Sequence, residues 1–265
     1  MPATPPDAGS AQLLDVAARL VELARKAGAG EAEAYAESSR EASVRVRDGE
    51  VEELSQATSK GVGLRVIGAG RLGFAYGTDF SRDGLRRIAE SAVALSRLSA
   101  KDESNALPRG AVLGFNPEGA GDYDPEIEQL DPAWKLAAAR EAERAARGAD
   151  PRVRKFDSTG AGDYLAHAAV VSSRGAAGAS RATYVSVDCS PVAEENGQLQ
   201  TSSWSDTRRT LAALERPEQI GRTAALRATR MLGARKAKTQ RVPVVLDPRM
   251  AAGFIGGLAA AVNGN

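Results

Sequence analysis

The chain has 265 residues, with 35 Lys and Arg against 34 Asp and Glu and a formal net charge of +1. That balance removes any bulk-electrostatic argument for nucleic acid or membrane partners. A hydrophobic content of 43% supports a core, but aromatics are only 5%, so the core must be built from aliphatic and small side chains. Cys189 and His167 are the sole cysteine and histidine, which excludes an internal disulfide framework and any multi-histidine metal site. No apolar run reaches spanning length. Residues 1–7 lack the basic and apolar regions of a signal peptide and read as an unstructured lead-in. Cytoplasmic localisation is the expectation.

In chain order, Leu13, Val16, Ala17, Leu20, Leu23 and Ala24 recur at helical spacing behind Ser10 as cap, and Gly28 ends the helix. From Glu31 the period changes to two, through Tyr35 to Val44 and Val46, and Asp48-Gly49 offers a tight hairpin turn. Val62, Leu64 and Val66 alternate, as do Leu72, Phe74 and Tyr76, with Gly68-Ala69-Gly70 as a second turn. A helix follows with Leu85, Ile88, Ala89, Ala92 and Leu95 on one face. Residues 99–130 interleave Pro108, Pro117 and Pro125 with glycines and read as a connection. Asp131-Pro132 opens a helix through Trp134, Leu136 and Ala139 that stops at Gly148. Strand runs lie around residues 165–171, 183–187 and 198–204, with Asn196-Gly197 a further turn, and a helix over 218–232 is closed by Gly233. Val242-Pro243-Val244-Val245-Leu246 reads as a short buried strand, and Asp247-Pro248 starts a last helix through Val262. The predicted class is α+β: two mixed helix and antiparallel-strand domains, 1–98 and 131–240, joined by a linker at 99–130. Residues 241–265 then begin a third, mostly β domain.

Several residue groups suggest chemistry, and each has a plainer account. Gly68-Ala69-Gly70-Arg71-Leu72-Gly73 matches the dinucleotide fingerprint by letter, but that motif requires a strand feeding a helix. Here a strand continues, so a hairpin turn is expected. A serine triad would pair His167 with Ser172 or Ser173, but these lie along one strand, too far apart for a hydrogen bond. His167 is expected to be a packed strand histidine and Cys189 a small buried hydrophobe. Glu194 and Glu195 are adjacent on a strand and point to opposite faces, so they cannot converge on one bond. Arg227, Arg230, Arg235, Lys236, Lys238 and Arg241 lack interleaved aromatics, and read as a solvated helix end and linker rather than a nucleic-acid surface.

The stretch from Val242 through Met250-Ala251-Ala252-Gly253-Phe254-Ile255-Gly256-Gly257-Leu258-Ala259-Ala260-Ala261, a strand and a capped, glycine-rich helix, resembles the opening of the C-terminal domain in the TldD/PmbA (TldE) family, the so-called modulators of DNA gyrase. The resemblance extends back through Val185-Ser186-Val187, the Val192-to-Gln200 segment with Trp204, Gly221-Arg222, Leu232-Gly233-Ala234-Arg235-Lys236, and the Asp48-Gly49 hairpin with Gly61-Val62-Gly63-Leu64-Arg65-Val66. In the TldD branch the matching helix carries His-Glu-x-x-x-His, which binds zinc. Here Gly256, Gly257 and Ala261 stand at the degenerate zinc-helix positions. The resemblance therefore implies a metal-free, TldE/PmbA-like subunit of a TldD/TldE-type zinc metallopeptidase that cleaves unfolded or small peptides, with a role in proteolysis and peptide maturation. Zinc is expected only in a TldD-type partner, and this chain has no catalytic or metal residues and no cofactor of its own. Its partners would be a TldD-type subunit in a heterodimer, or itself in a homodimer, together with a peptide substrate. The alternatives are a stand-alone homodimeric peptide-binding or regulatory protein, and a hydrolase using residues past Asn265. Family members usually continue beyond this length, so most of the third domain is expected to be missing. Gly253, Gly256 and Gly257 are expected to form a close-packing helix face.

Overall fold

The computed structural model describes residues 7–108 and 122–263. The elements run α1 Ala8–Lys26, β1 Glu31–Arg47, β2 Glu50–Gly68, β3 Arg71–Gly77, α2 Arg82–Leu98, α3 Pro125–Glu128, α4 Pro132–Ala149, β4 Val153–Ser172, β5 Ala177–Glu195, β6 Gln198–Thr201, β7 Trp204–Arg208, α5 Pro217–Arg230 and α6 Pro248–Val262. The class is α+β, with a curled, antiparallel, seven-stranded sheet ordered β3-β2-β1-β4-β5-β6 and β7 also paired to β5. Of the expected linker, residues 109–121 lie outside the described residues.

Turn chemistry sets the hairpins. Asp48 and Gly49 both take positive φ, 53° and 82°, as do Ala69 and Gly70 at 50° and 75° and Asn196 and Gly197 at 51° and 76°. Paired positive φ values are the signature of the turns whose twist suits a two-residue hairpin. The letters that matched a nucleotide fingerprint are thus the β2–β3 turn and the start of β3.

The sequence expects two α+β domains, and the hydrogen bonding joins both stretches in one sheet. β1 pairs with β4 from Glu33↔Ser172 to Val46↔Thr159, while its other edge pairs with β2. A strand's own alternation says which face is buried but not which strand lies beside it.

Helices α1, α2, α4 and α5 all pack on one face. Leu13, Val16, Leu20 and Ala24 of α1, with Leu85, Ile88 and Ala92 of α2, meet Ala34, Val62, Leu64 and Val66. Further along the same face, Ala139, Ala142 and Ala146 of α4 and Ile220, Ala224 and Ala228 of α5 meet Val44, Val46, Val187 and Cys189. Alanine and glycine here let backbones approach closely. A Cβ added at Gly73 would sit 2.0 Å from the Ala92 carbonyl oxygen, and one at Gly221 would sit 2.0 Å from that of Ala142.

Three local expectations need correction, and one strand takes a face that its alternation left open. The cap of α1 is Asp7, whose carboxylate accepts from the amides of Gly9 and Ser10. Ser10 instead lies in the first turn and donates to Asp7. On α2 the buried stripe runs through Val93 and Ser96, and Leu95 is 47% exposed, because the helix turns its Ala92–Ser96 side onto Gly73. On β3 the apolar set Leu72, Phe74 and Tyr76 points away from the helices, while Gly73 faces α2. Finally, residues 242–246 form no strand, since a strand needs a partner for its amides and none pairs here among the described residues.

Residues 233–265 are a separate compact unit. Its helix α6 begins at the Asp247 cap, whose carboxylate accepts from the Arg249 amide at 3.0 Å, with Pro248 in the first turn. Within that unit, a Cβ built at Gly253, Gly256 or Gly257 meets nothing within 4 Å among the described residues.

Candidate functional site

Within residues 7–232 the sheet's second face carries no helix among the described residues. Register places Tyr35, Glu37, Gly63, Phe74 and Tyr76 together on it, followed by Glu41, Tyr164 and Tyr184, then Arg45, Gly160 and Asp188. The positions between these are small, serine or alanine, such as Ser39, Ser43, Ser59, Ala166, Ala168, Ala182 and Ser186. Two depressions result. One, of 340 Å³, lies among Tyr35, Val62, Gly63, Phe74 and Tyr76, and is mostly apolar. The Phe74 and Tyr76 rings stack there with centroids 6.1 Å apart, and the Tyr35 hydroxyl donates to Glu37 at 2.5 Å. Burial, then the Glu37 carboxylate, push that phenol up to about 12, so Tyr35 is a neutral donor at physiological pH. The other, of 180 Å³, lies between Glu41, Arg45, Tyr164, Tyr184, Ser186 and Asp188.

Burial raises the Asp188 carboxyl above the usual carboxylate range, and Arg45 offsets only part of this. A carboxyl whose folded pKa is raised binds its proton more tightly in the folded state. Stability is therefore greatest below the unfolded pKa and falls as pH rises through the folded one. Asp188→Asn is expected to raise the melting temperature at about pH 7 and to leave it unchanged at about pH 3. Equal melting shifts at both pH values would refute this.

His167, on the helix-bearing face, is drawn into a clasp at the start of α1. Its Nδ1 lies 3.4 Å from Ser10 Oγ and 3.4 Å from Asp7 Oδ1. Arg181 Nε lies 3.3 Å from Asp7 Oδ2, and the Arg181 guanidinium stacks 3.7 Å from the Tyr123 ring centroid. Burial pushes the Asp7 carboxyl up, but the Ser10 hydrogen bonds and the charges of His167 and Arg181 outweigh it and hold the carboxyl below its usual range. Serine, histidine and aspartate meet here, yet Ser10 donates to Asp7 at 2.7 Å and one ring nitrogen faces both partners. A proton relay needs the two imidazole nitrogens on different partners. The cluster anchors a helix. Ser172 and Ser173, the partners weighed for His167, are engaged elsewhere: Ser173 Oγ accepts from the Ala32 amide at 2.9 Å and Ser172 Oγ from the Arg174 amide at 3.1 Å.

Cys189 is fully buried, and burial pushes its thiol up to about 12 despite the Thr159 hydroxyl 3.7 Å from Sγ. The folded chain is expected to resist thiol-directed alkylation at about pH 8 and to react only on unfolding, since the thiolate is the reactive form. Stoichiometric labelling of the native protein would contradict this. Glu195 lies 3.3 Å from Arg152 Nη1, in the β5–β6 hairpin, and takes no part in an acid–base pair with Glu194. Arg227 stacks 5.2 Å from the Trp204 ring, whereas Arg235, Lys236, Lys238 and Arg241 belong to the other unit.

Sequence reasoning missed one constellation. Lys135 of α4 and Asp163 of β4, 2% and 1% exposed, form a direct ion pair beneath the sheet. Arg40 Nη2 approaches Asp163 at 3.5 Å while donating to the Glu128 carbonyl at 2.8 Å. The available signal was phase: Lys135 falls on the buried stripe of Ala138, Ala139 and Ala142.

The described residues offer zinc no ligand set: Gly256, Gly257 and Ala261 on α6 carry no side-chain donor, His167 faces Ser10 and Asp7, Cys189 is buried, and no cluster of three or more ligating side chains occurs among the described residues.

The fold and these residues define a protein of a known class. Residues 32–96 match the family model described as PmbA/TldA metallopeptidase domain 1, and residues 125–232 match the PmbA/TldA metallopeptidase central domain. The chain belongs to the PmbA/TldD family. Among individual proteins it is 29% identical over 225 residues to the metalloprotease PmbA of Escherichia coli O157:H7, covering 84% of this chain and 49% of that one. It is 25% identical over 172 residues to a metalloprotease TldD homologue of Haemophilus influenzae, covering 65% of this chain and 35% of that one. A Bacteroides thetaiotaomicron protein named as a modulator of DNA gyrase shares the fold with a TM-score of 0.83 at 24% identity, over 94% of this chain and 56% of that one. TldE from Thermococcus kodakarensis does so with a TM-score of 0.71 at 18% identity, over 81% and 47%. The chain spans about half the length of the relatives it matches. No helix among the described residues is long and apolar enough to cross a membrane.

Proposed function

We propose that this chain is a TldE/PmbA-like subunit that holds no metal and works with a TldD-type partner in a cytoplasmic zinc metallopeptidase acting on unfolded or small peptides. One observation carries the reading. α6 starts at a well-formed cap where the resemblance expects the metal helix, and the positions that hold ligands in the TldD branch are Gly256, Gly257 and Ala261. Zinc requires about three protein ligands, and α6 supplies none at those positions. Peptide-bond hydrolysis by zinc-activated water then belongs to the partner subunit. This chain contributes wall and gating surface. The helix-free face of the sheet suits that role, because its aromatic depression at Tyr35, Phe74 and Tyr76 would take apolar side chains while its small residues leave room for an extended chain.

The test compares the purified chain alone with the chain co-purified with a TldD-type subunit, measuring metal content and peptidase activity. Alone it is expected to retain no zinc after dialysis and to cleave no peptide; with the partner, both appear. About one tightly held zinc per isolated chain would overturn the reading.

A further inference from the structure

The smaller depression on the helix-free face holds carboxylates that the chain itself leaves without counter-ions. Its floor is glycine. A Cβ at Gly160 would stand 3.1 Å from Asp188 Oδ1 and 3.2 Å from the Val44 carbonyl oxygen, and one at Gly162 would stand 3.2 Å from that of Ala42. The missing side chains let the Asp188 carboxylate lie over β4. At the other end Glu41 stands beside Tyr164, whose ring centroid is 6.2 Å from that of Tyr184. Asp188 and Glu41 make no hydrogen bond or ion pair among the described residues. The nearby cations are committed elsewhere. Arg45 lies 3.5 Å from Glu53, and Arg209, stacked 4.9 Å from the Tyr184 ring centroid, pairs with Asp122. Asp163, which borders the depression from the helix side, is paired with Lys135.

We propose that this depression is a subsite for a basic side chain, lysine or arginine, of a bound peptide, with Asp188 as its counter-ion. A carboxylate drawn out of water without a partner costs stability, and such groups concentrate at functional sites. The volume of 180 Å³ is below the ~300 Å³ at which whole-ligand pockets begin, and it suits one side chain of a longer ligand. The apolar stem would lie over the glycine floor while the charged head meets Asp188. Glu41 stands four residues along and two strands across from Asp188, about 16 Å away by strand rise and spacing. The two carboxylates cannot share a metal ion at that separation, since hard cations need several converging oxygens. Each can hold its own cation, so a second basic residue about five positions on in an extended peptide would meet Glu41 and the Tyr164 ring. The inference rests on the reading that this face receives peptide, and adds what that peptide carries.

The experiment measures binding to the whole chain by calorimetry. The probes are a blocked alanine heptapeptide with lysine at its centre and the same peptide with norleucine or glutamate there. Lysine is expected to be preferred over norleucine about tenfold, as for a charge-assisted contact in a sheltered site, and glutamate to bind least. Asp188→Asn keeps the shape of the side chain and is expected to abolish the preference. Arg45→Gln, which removes a competing cation, is expected to strengthen it. Glu90→Gln removes an exposed carboxylate on α2 and is expected to change nothing. Equal binding of lysine and norleucine, no binding of the lysine peptide, a preference that survives Asp188→Asn, or an equal loss in Glu90→Gln would each overturn the proposal. Cleavage by the complex with a TldD-type subunit separates the two readings. Cleavage with no lysine preference in binding would sink the subsite and leave the metal-free subunit standing. Lysine-dependent binding without cleavage in that complex would do the reverse.

Discussion

Replacing Lys135 with methionine is expected to destabilise the protein by about 3–5 kcal/mol, among the largest losses available to a single substitution. Lys135 and Asp163 are both almost wholly excluded from water and bonded to each other, and Lys135 Nζ lies 3.4 Å from the Leu130 carbonyl. Methionine fills a similar volume, so packing loss is small. What is lost is the charge that compensates Asp163, and Arg40 at 3.5 Å, one-third exposed, compensates only in part. Removing both charges should behave differently. In Lys135→Met with Asp163→Leu the desolvation penalty disappears with the pair, and most of the loss should be recovered. Urea denaturation of the two singles and the double forms a complete cycle. A Lys135→Met variant within about 1 kcal/mol of wild type would show that the pair does not carry this weight.

The second large effect is expected at Gly221, where α5 crosses α4. Its Cβ position lies 2.0 Å from the Ala142 carbonyl oxygen and 3.0 Å from the Ala146 amide nitrogen. These are backbone atoms, so no side chain can rotate away, and the two helices would have to separate. Gly221→Leu is expected to cost more than about 3 kcal/mol, beyond ordinary overpacking, and to loosen the core around Ile220, Ala224 and Ala228. Gly221→Ala should already be costly, although alanine is the better helix former in isolation. A melting temperature equal to wild type for the alanine variant would mean that the two backbones are not in contact.

Much of the local structure was written plainly in the chain. Asp48-Gly49 and Asn196-Gly197 specify hairpin turns because few residues tolerate positive φ, and Asp131-Pro132 and Asp247-Pro248 specify helix starts by a side-chain acceptor followed by fixed φ. Where the reading slipped, a neighbour made the choice. Leu95 yielded to Val93 and Ser96 because α2 rolls onto Gly73, and the alternation of Leu72, Phe74 and Tyr76 gave a period without saying which face the helices cover. The Lys135–Asp163 pair was hidden because the two residues are distant in sequence and unremarkable singly.

The sequence by itself determined the α+β class, the turn positions, the family resemblance and the lack of ligating side chains on α6, because these depend on residue identity and on spacing within one element. Only the tertiary structure decided that β1 carries β2 on one edge and β4 on the other, uniting both halves in one sheet. It likewise decided that His167 closes on Asp7 and that residues 50–60 of β2 pair only with β1 among the described residues. Each of these is a choice of partner across the chain. Backbone hydrogen bonds and buried charges must be satisfied by some group, and local pattern leaves open which group it will be.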